Sequence, residues 1–74
     1  KFDPTEGALA DPGEYRFFAE PFEDKLMKDI PLDDVHKLYV RMRDWLDKGN
    51  VPSPMQQAQF ANLRKFLIIM NVEV

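Results

Sequence analysis

Apolar side chains recur along this chain in three periodic stretches, separated by breaks that carry proline and glycine. The most regular stretch is Ser53 to Met70. Phe60, Leu63, Leu67 and Met70 follow one another at spacings of three, four and three, and Met55 and Phe66 widen the same stripe. That is helical periodicity, not strand alternation. The start of the helix is also written in the residues. Ser53 can cap the first free backbone N–H groups, Pro54 suits the first helical position, and Gln56 stands where a capping box needs it. Asn71 tolerates the left-handed conformation that ends many helices, so the stretch predicts one helix from Ser53 to Met70. Ile68 and Ile69 fall outside the stripe and make the last turn apolar nearly all round, so it is expected to be covered on more than one side. Either the N-terminal region wraps over it or a partner chain does. A strand at the C-terminus is a third reading. The upstream cap argues against it for Phe66–Met70 but leaves it open for Val72–Val74.

A second stretch, Leu32 to Lys48, places Val35, Leu38, Met42, Trp45 and Leu46 on one helical face, with Tyr39 at its border. Asp33 and Asp34 fall in the first turn, where carboxylates favour the positive end of the helix dipole. Gly49 takes the C-terminal cap position. The short link to Ser53 predicts that the two helices are antiparallel neighbours. The third stretch is interrupted. Asp11-Pro12-Gly13-Glu14 can open a short helix, and Tyr15, Phe18, Phe22 and Leu26 recur at three, four and four. Pro21 breaks this run, which predicts a kink near Glu20 or two helices, one ending near Ala19 and one from Pro21 to about Lys28. Residues 1–11 read as loop, mobile unless Phe2 docks it. The expected architecture is all-α: a single domain over residues 1–74, a small bundle of three to four helices with an antiparallel C-terminal helix hairpin. Trp45 with Phe60 or Phe66 is its expected centre.

Composition narrows the function. Seventy-four residues make one domain, and a chain of that size buries only about 60% of its unfolded surface, so its own core is marginal. Without cysteine there is no disulfide and no thiolate ligand, which fits a cytoplasmic protein (host cytoplasm if viral). No run approaches the roughly 20 apolar residues of a membrane span, and no stretch reads as a signal peptide. Net charge is −3, split unevenly. Residues 1–34 hold ten acids and four bases, which is −6, and residues 35–74 hold three acids and six bases, which is +3.

Catalysis finds little support. His36 is the sole imidazole and Ser53 the sole serine, already engaged as a cap. The pairs Glu23-Asp24 and Asp33-Asp34 are sequence neighbours, which on a helix point about 100° apart and do not converge on one water or metal. Gly7, Gly13 and Gly49 form no phosphate-binding loop. No enzyme activity, cofactor, metal or small-molecule substrate is expected. Two surfaces remain. One is basic: Lys37, Arg41, Arg43, Lys48, Arg64 and Lys65 could hold nucleic-acid phosphates, although a sequence pI near 5.0 favours an ordinary solvated face. The other is apolar: Phe66, Ile68, Ile69, Val72 and Val74 could bind a protein partner or a second copy.

The run Gly49…Ser53-Pro54…Arg64-Lys65-Phe66-Leu67…Val72 resembles the C-terminal part of small subunits of phage terminases, where a helix closes on an Arg-x-Phe-Leu turn followed by an apolar residue. The resemblance covers about the last third of the chain. It implies an oligomeric DNA-recognition component of viral packaging with no catalysis of its own. Residues and resemblance together lead to two expectations. The first is a non-enzymatic helical protein-interaction module (adaptor, regulator or oligomerisation unit). The alternative is a nucleic-acid-binding accessory protein.

Overall fold

A computed structural model describes residues 3–74; the docking role expected of Phe2 lies outside them. Two α-helices carry the fold, α1 over Leu32–Asp47 and α2 over Pro54–Ile69. The described residues of the N-terminal half contribute two 3₁₀ turns, Pro12–Glu14 and Met27–Asp29, and no α-helix. The chain is thus all-helical, with no strand among the described residues, but it is not a bundle of three to four helices. The physical reason lies in Tyr15 to Phe18. Proline at 21 removes a helical donor and biases Glu20 away from the helical region, so the helical spacing of Tyr15, Phe18 and Phe22 is never used. The segment follows a period of two instead: Tyr15 and Phe17 turn inward, Arg16 and Phe18 outward.

Extended backbone over these residues forms an irregular hairpin. The Phe17 and Met27 N–H groups donate to the Lys25 and Tyr15 carbonyls at 3.0 and 2.9 Å, and Asp24 N–H donates to the Phe17 carbonyl at 2.9 Å. Arg16 and Leu26 meet in a single antiparallel bridge. Tyr15 and Phe22 each meet the Phe17 ring edge-to-face, with centroids 5.4 and 6.2 Å away. Beside the hairpin, Lys28 pairs with Glu14, whose carboxylate holds the lysine above its usual pKa.

Helix α2 begins as its sequence predicts. Ser53 Oγ accepts from Gln56 N–H at 3.2 Å, and Gln56 Oε1 accepts from Ser53 N–H at 2.9 Å. Helix α1 ends at Asp47, with Lys48 as cap and Gly49 beyond it at φ 94°, the left-handed region where glycine carries no Cβ penalty. The Asn50 amide donates to the Trp45 carbonyl at 2.7 Å and satisfies one more terminal carbonyl.

Between the helices Tyr39 stacks on Phe60, with centroids 5.1 Å apart and planes 15° apart. The core centres on Met27, Val35, Leu63 and Leu67, all fully buried, with Phe66 and Ile30 around them. Trp45 is not its centre; it stands half-buried at the margin of the helix pair. Phe18, Met55 and Met70 also lie at the surface. The two helices alone would leave one side of α2 open, and the N-terminal half covers it. The Cα radius of gyration is 11.2 Å, close to the roughly 11 Å of a globular chain of this length, so that half folds onto the helices.

Candidate interaction surfaces

The N-terminal segment reaches α2 through three polar side chains. Gln57 Nε2 donates to the Asp3 carbonyl at 3.1 Å and to Glu6 Oε1 at 3.0 Å. Asn62 accepts the Leu9 N–H at 2.9 Å and donates to the Gly7 and Ala58 carbonyls at 3.2 and 2.8 Å. Lys65 Nζ donates to the Leu9 carbonyl at 2.8 Å. Gly7, at φ 93°, permits the contact, because a Cβ there would stand 3.0 Å from Ala58 Cα. Asp3 turns its carboxylate onto the Thr5 N–H and hydroxyl, which lower its pKa. Asn62 is the one fully buried polar residue among those described, and both polar atoms of its amide are partnered by these bonds. Sequence reasoning passed it over, although a signal existed. Asn62 stands seven residues after Met55 and four before Phe66, so it shares their helical stripe. A polar residue on that stripe calls for buried partners.

This strap leaves the last turn of α2 uncovered. It passes Gln57, Asn62 and Lys65, and the Pro12–Glu14 turn then closes over Phe66, with Gly13 packed against that ring. Phe66, expected at an interface, is therefore core, with only 7% of its surface exposed. Ile68, Ile69 and Met70 are 46%, 59% and 49% exposed, and Val74 39%. Val72 turns back onto the core. The helix ends in a Schellman motif: Asn71 adopts φ 62°, its N–H donates to the Ile68 carbonyl at 3.1 Å, and Val72 N–H donates to the Leu67 carbonyl at 2.8 Å. That geometry replaces the strand considered for Val72–Val74 and aims Val72 at the interior. Ile68 also borders a hollow of about 350 Å³ with Ala8, Ala61, Arg64 and Lys65.

The six basic residues do not form one patch. Lys37, Arg41 and Lys48 are exposed, and helical spacing puts them within about 40° of each other along α1. Arg43 faces elsewhere, over the Tyr39 ring at 5.7 Å, with its Nε 3.8 Å from Asp44 Oδ1. Arg43 and Arg64 share a cleft of about 340 Å³ with Pro4 and Phe60. Lys65 is occupied by the strap. The charges therefore divide over three surfaces: an exposed row on α1, the cleft of Arg43 and Arg64, and the strap at Lys65.

Among the described residues no group of three or more His, Asp or Glu side chains stands close enough to hold a metal ion, and no helix is long and apolar enough to cross a membrane. His36 is exposed on α1, and Ser53 Oγ is engaged in the cap. Comparison with known proteins finds no matching family model, no matching curated protein and no matching solved structure.

Proposed function

We propose that this chain is a non-enzymatic helical interaction module that docks a protein partner, or a second copy, through the apolar end of α2. The supporting observation is the exposure of three successive large apolar residues, Ile68, Ile69 and Met70, on a helix whose opposite face is sealed. Burying such residues stabilises a contact by roughly 25 cal/mol per Å² of apolar surface removed from water. The local fold does not need them exposed, since the Schellman motif is made by backbone groups and by Val72. Substituting Ile69→Asp tests the reading. Its side chain is more than half exposed, so the monomer is expected to lose no more than about 1 kcal/mol, mostly from a carboxylate at the negative end of the helix. Association is expected to fall sharply, because a carboxylate would be desolvated in the contact. Sedimentation of both proteins, and capture of partners with each as bait, reads the difference. Equal association by wild type and variant would defeat the proposal.

A nucleic-acid-binding role, the one implied by the resemblance to phage terminase small subunits, has one observation in its favour. Lys37, Arg41 and Lys48 form a row without ion pairs among the described residues. Against it stand the net charge of −3 and the dispersal of the other three cations. Binding of this kind would weaken steeply with salt and with Lys37→Glu plus Arg41→Glu. The absence of any shift with duplex or single strands at low salt would remove it.

A further inference from the structure

A groove of about 270 Å³ runs between the two helices on the side away from Tyr39. Leu38, Met42 and Trp45 form its apolar wall, Arg41 its lip, and Gln56 and Gln59 the side contributed by α2. Helical spacing sets the row Lys37, Arg41 and Lys48 directly beside the wall of Leu38 and Trp45. The groove is therefore oily on one side and cationic along one edge. On its α2 side, Gln59 Oε1 is buried and has no hydrogen-bond partner among the described residues. A buried carbonyl in that state is costly. The terminal torsion of glutamine is soft, so the amide can turn toward any donor that enters.

The same chain carries a segment of complementary chemistry. The tip of the N-terminal hairpin, Phe18 to Asp24, projects beyond the pairing of Phe17 with Lys25. Phe18 points outward and is 36% exposed, a large aromatic at the surface. Glu20 and Glu23 are exposed and form no ion pair among the described residues. Among the described residues the Ala19 and Glu20 N–H groups donate no backbone hydrogen bond, so they are available as donors. Leu32 with Asp33 and Asp34 is a second apolar and acidic spot. Its carboxylates already face the positive end of α1, which lowers what they gain elsewhere.

We infer that the groove of one copy receives the Phe18–Asp24 turn of a second copy. Phe18 enters beside Trp45 and Met42, Glu20 and Glu23 meet Lys37 and Arg41, and a tip N–H meets Gln59 Oε1. The two halves of the contact are different surfaces of the chain, so the association is head-to-tail. It closes into rings where the rotation allows and otherwise grows as open chains. This surface is separate from the C-terminal turn of α2, and the one can operate without the other.

Reciprocal charge reversal tests it, with the full chain studied by sedimentation velocity over a concentration series at low salt. Wild type is expected to associate, and added salt to weaken it, because partly exposed charge pairs are screened. Lys37→Glu with Arg41→Glu, and separately Glu20→Lys with Glu23→Lys, are each expected to weaken association by at least about tenfold through like-charge contact. An equimolar mixture of the two variants is expected to recover it. Circular dichroism checks that each variant folds. If either does not, Phe18→Ala probes the same contact and is expected to give a comparable loss. Four results would overturn the inference: a wild type that stays monomeric throughout, association indifferent to both charge pairs, no recovery on mixing, or Lys37 and Arg41 binding single strands instead. Association lost with Ile69→Asp and untouched by the groove variants would overturn it too, while leaving the proposed α2 surface standing.

Discussion

Replacing Asn62 with alanine is expected to lower the stability of the chain by about 2–4 kcal/mol, the sum of lost buried hydrogen bonds and the small cavity left behind. Asn62 is fully buried and makes three side-chain hydrogen bonds, two of them to the strap at Gly7 and Leu9. Without its amide the Leu9 N–H and the Gly7 carbonyl lose their partners against α2. A domain of this length has a stability of roughly 4–11 kcal/mol in total, so the loss is a large fraction of it. Chemical denaturation measures the loss, and hydrogen exchange at the Leu9 amide locates it. Gln57→Ala removes bonds that are exposed to water and is expected to cost no more than about 1 kcal/mol. A loss below about 1 kcal/mol for Asn62→Ala as well would mean that the strap is held by something other than this residue.

The second large effect separates two residues that are adjacent in sequence. Leu67→Ala is expected to cost about 3 kcal/mol, within the range measured for fully buried leucines, because Leu67 has no exposed surface and packs among Leu63, Val35 and Met27. Ile68→Ala, one residue on, is expected to cost no more than about 1 kcal/mol, since Ile68 is 46% exposed. The comparison isolates burial from hydrophobicity: both are large apolar residues of one helical turn, and only one is packed. Thermal or denaturant unfolding of the pair is sufficient. Comparable losses at both positions would show that the end of α2 is covered in solution, and would point to self-association at that surface.

The two surfaces make different demands on the chain. The end of α2 is uncovered because the strap turns away after Lys65 to close over Phe66. The groove beside Trp45 is lined by residues of the two helices alone. Neither surface carries a group of side chains that converges on a reacting atom. Contact at these surfaces is what the charge and apolar substitutions above would disturb.

Residues near one another along the chain announced both long helices. Ser53, Pro54 and Gln56 place the start of α2, Gly49 the end of α1, and Asn71 the end of α2, because caps are local: their hydrogen bonds reach only three or four residues. The apolar turn at Ile68 and Ile69 was legible for the same reason, as an excess over one helical stripe. The N-terminal half was not, apart from the Asp11 cap that opens the Pro12–Glu14 turn. Its aromatic spacing fits a helix on paper, but Pro21 denies it the backbone bonds, and the extended hairpin it forms instead is held by pairings that no local pattern encodes. Tertiary structure alone decided three further points. Phe66, which the helical stripe offered both as a core centre and as an interface residue, is core because the Pro12–Glu14 turn closes over it and passes Ile68 by. Trp45 lies at the margin because Tyr39 takes the stacking position on Phe60. The six cations divide because the strap takes Lys65 and the pairing of the helices brings Arg64 of α2 to the cleft beside Arg43, which helical spacing already sets about 120° from Lys37 along α1. Each depends on which distant segments meet, and that is settled by packing the whole chain at once.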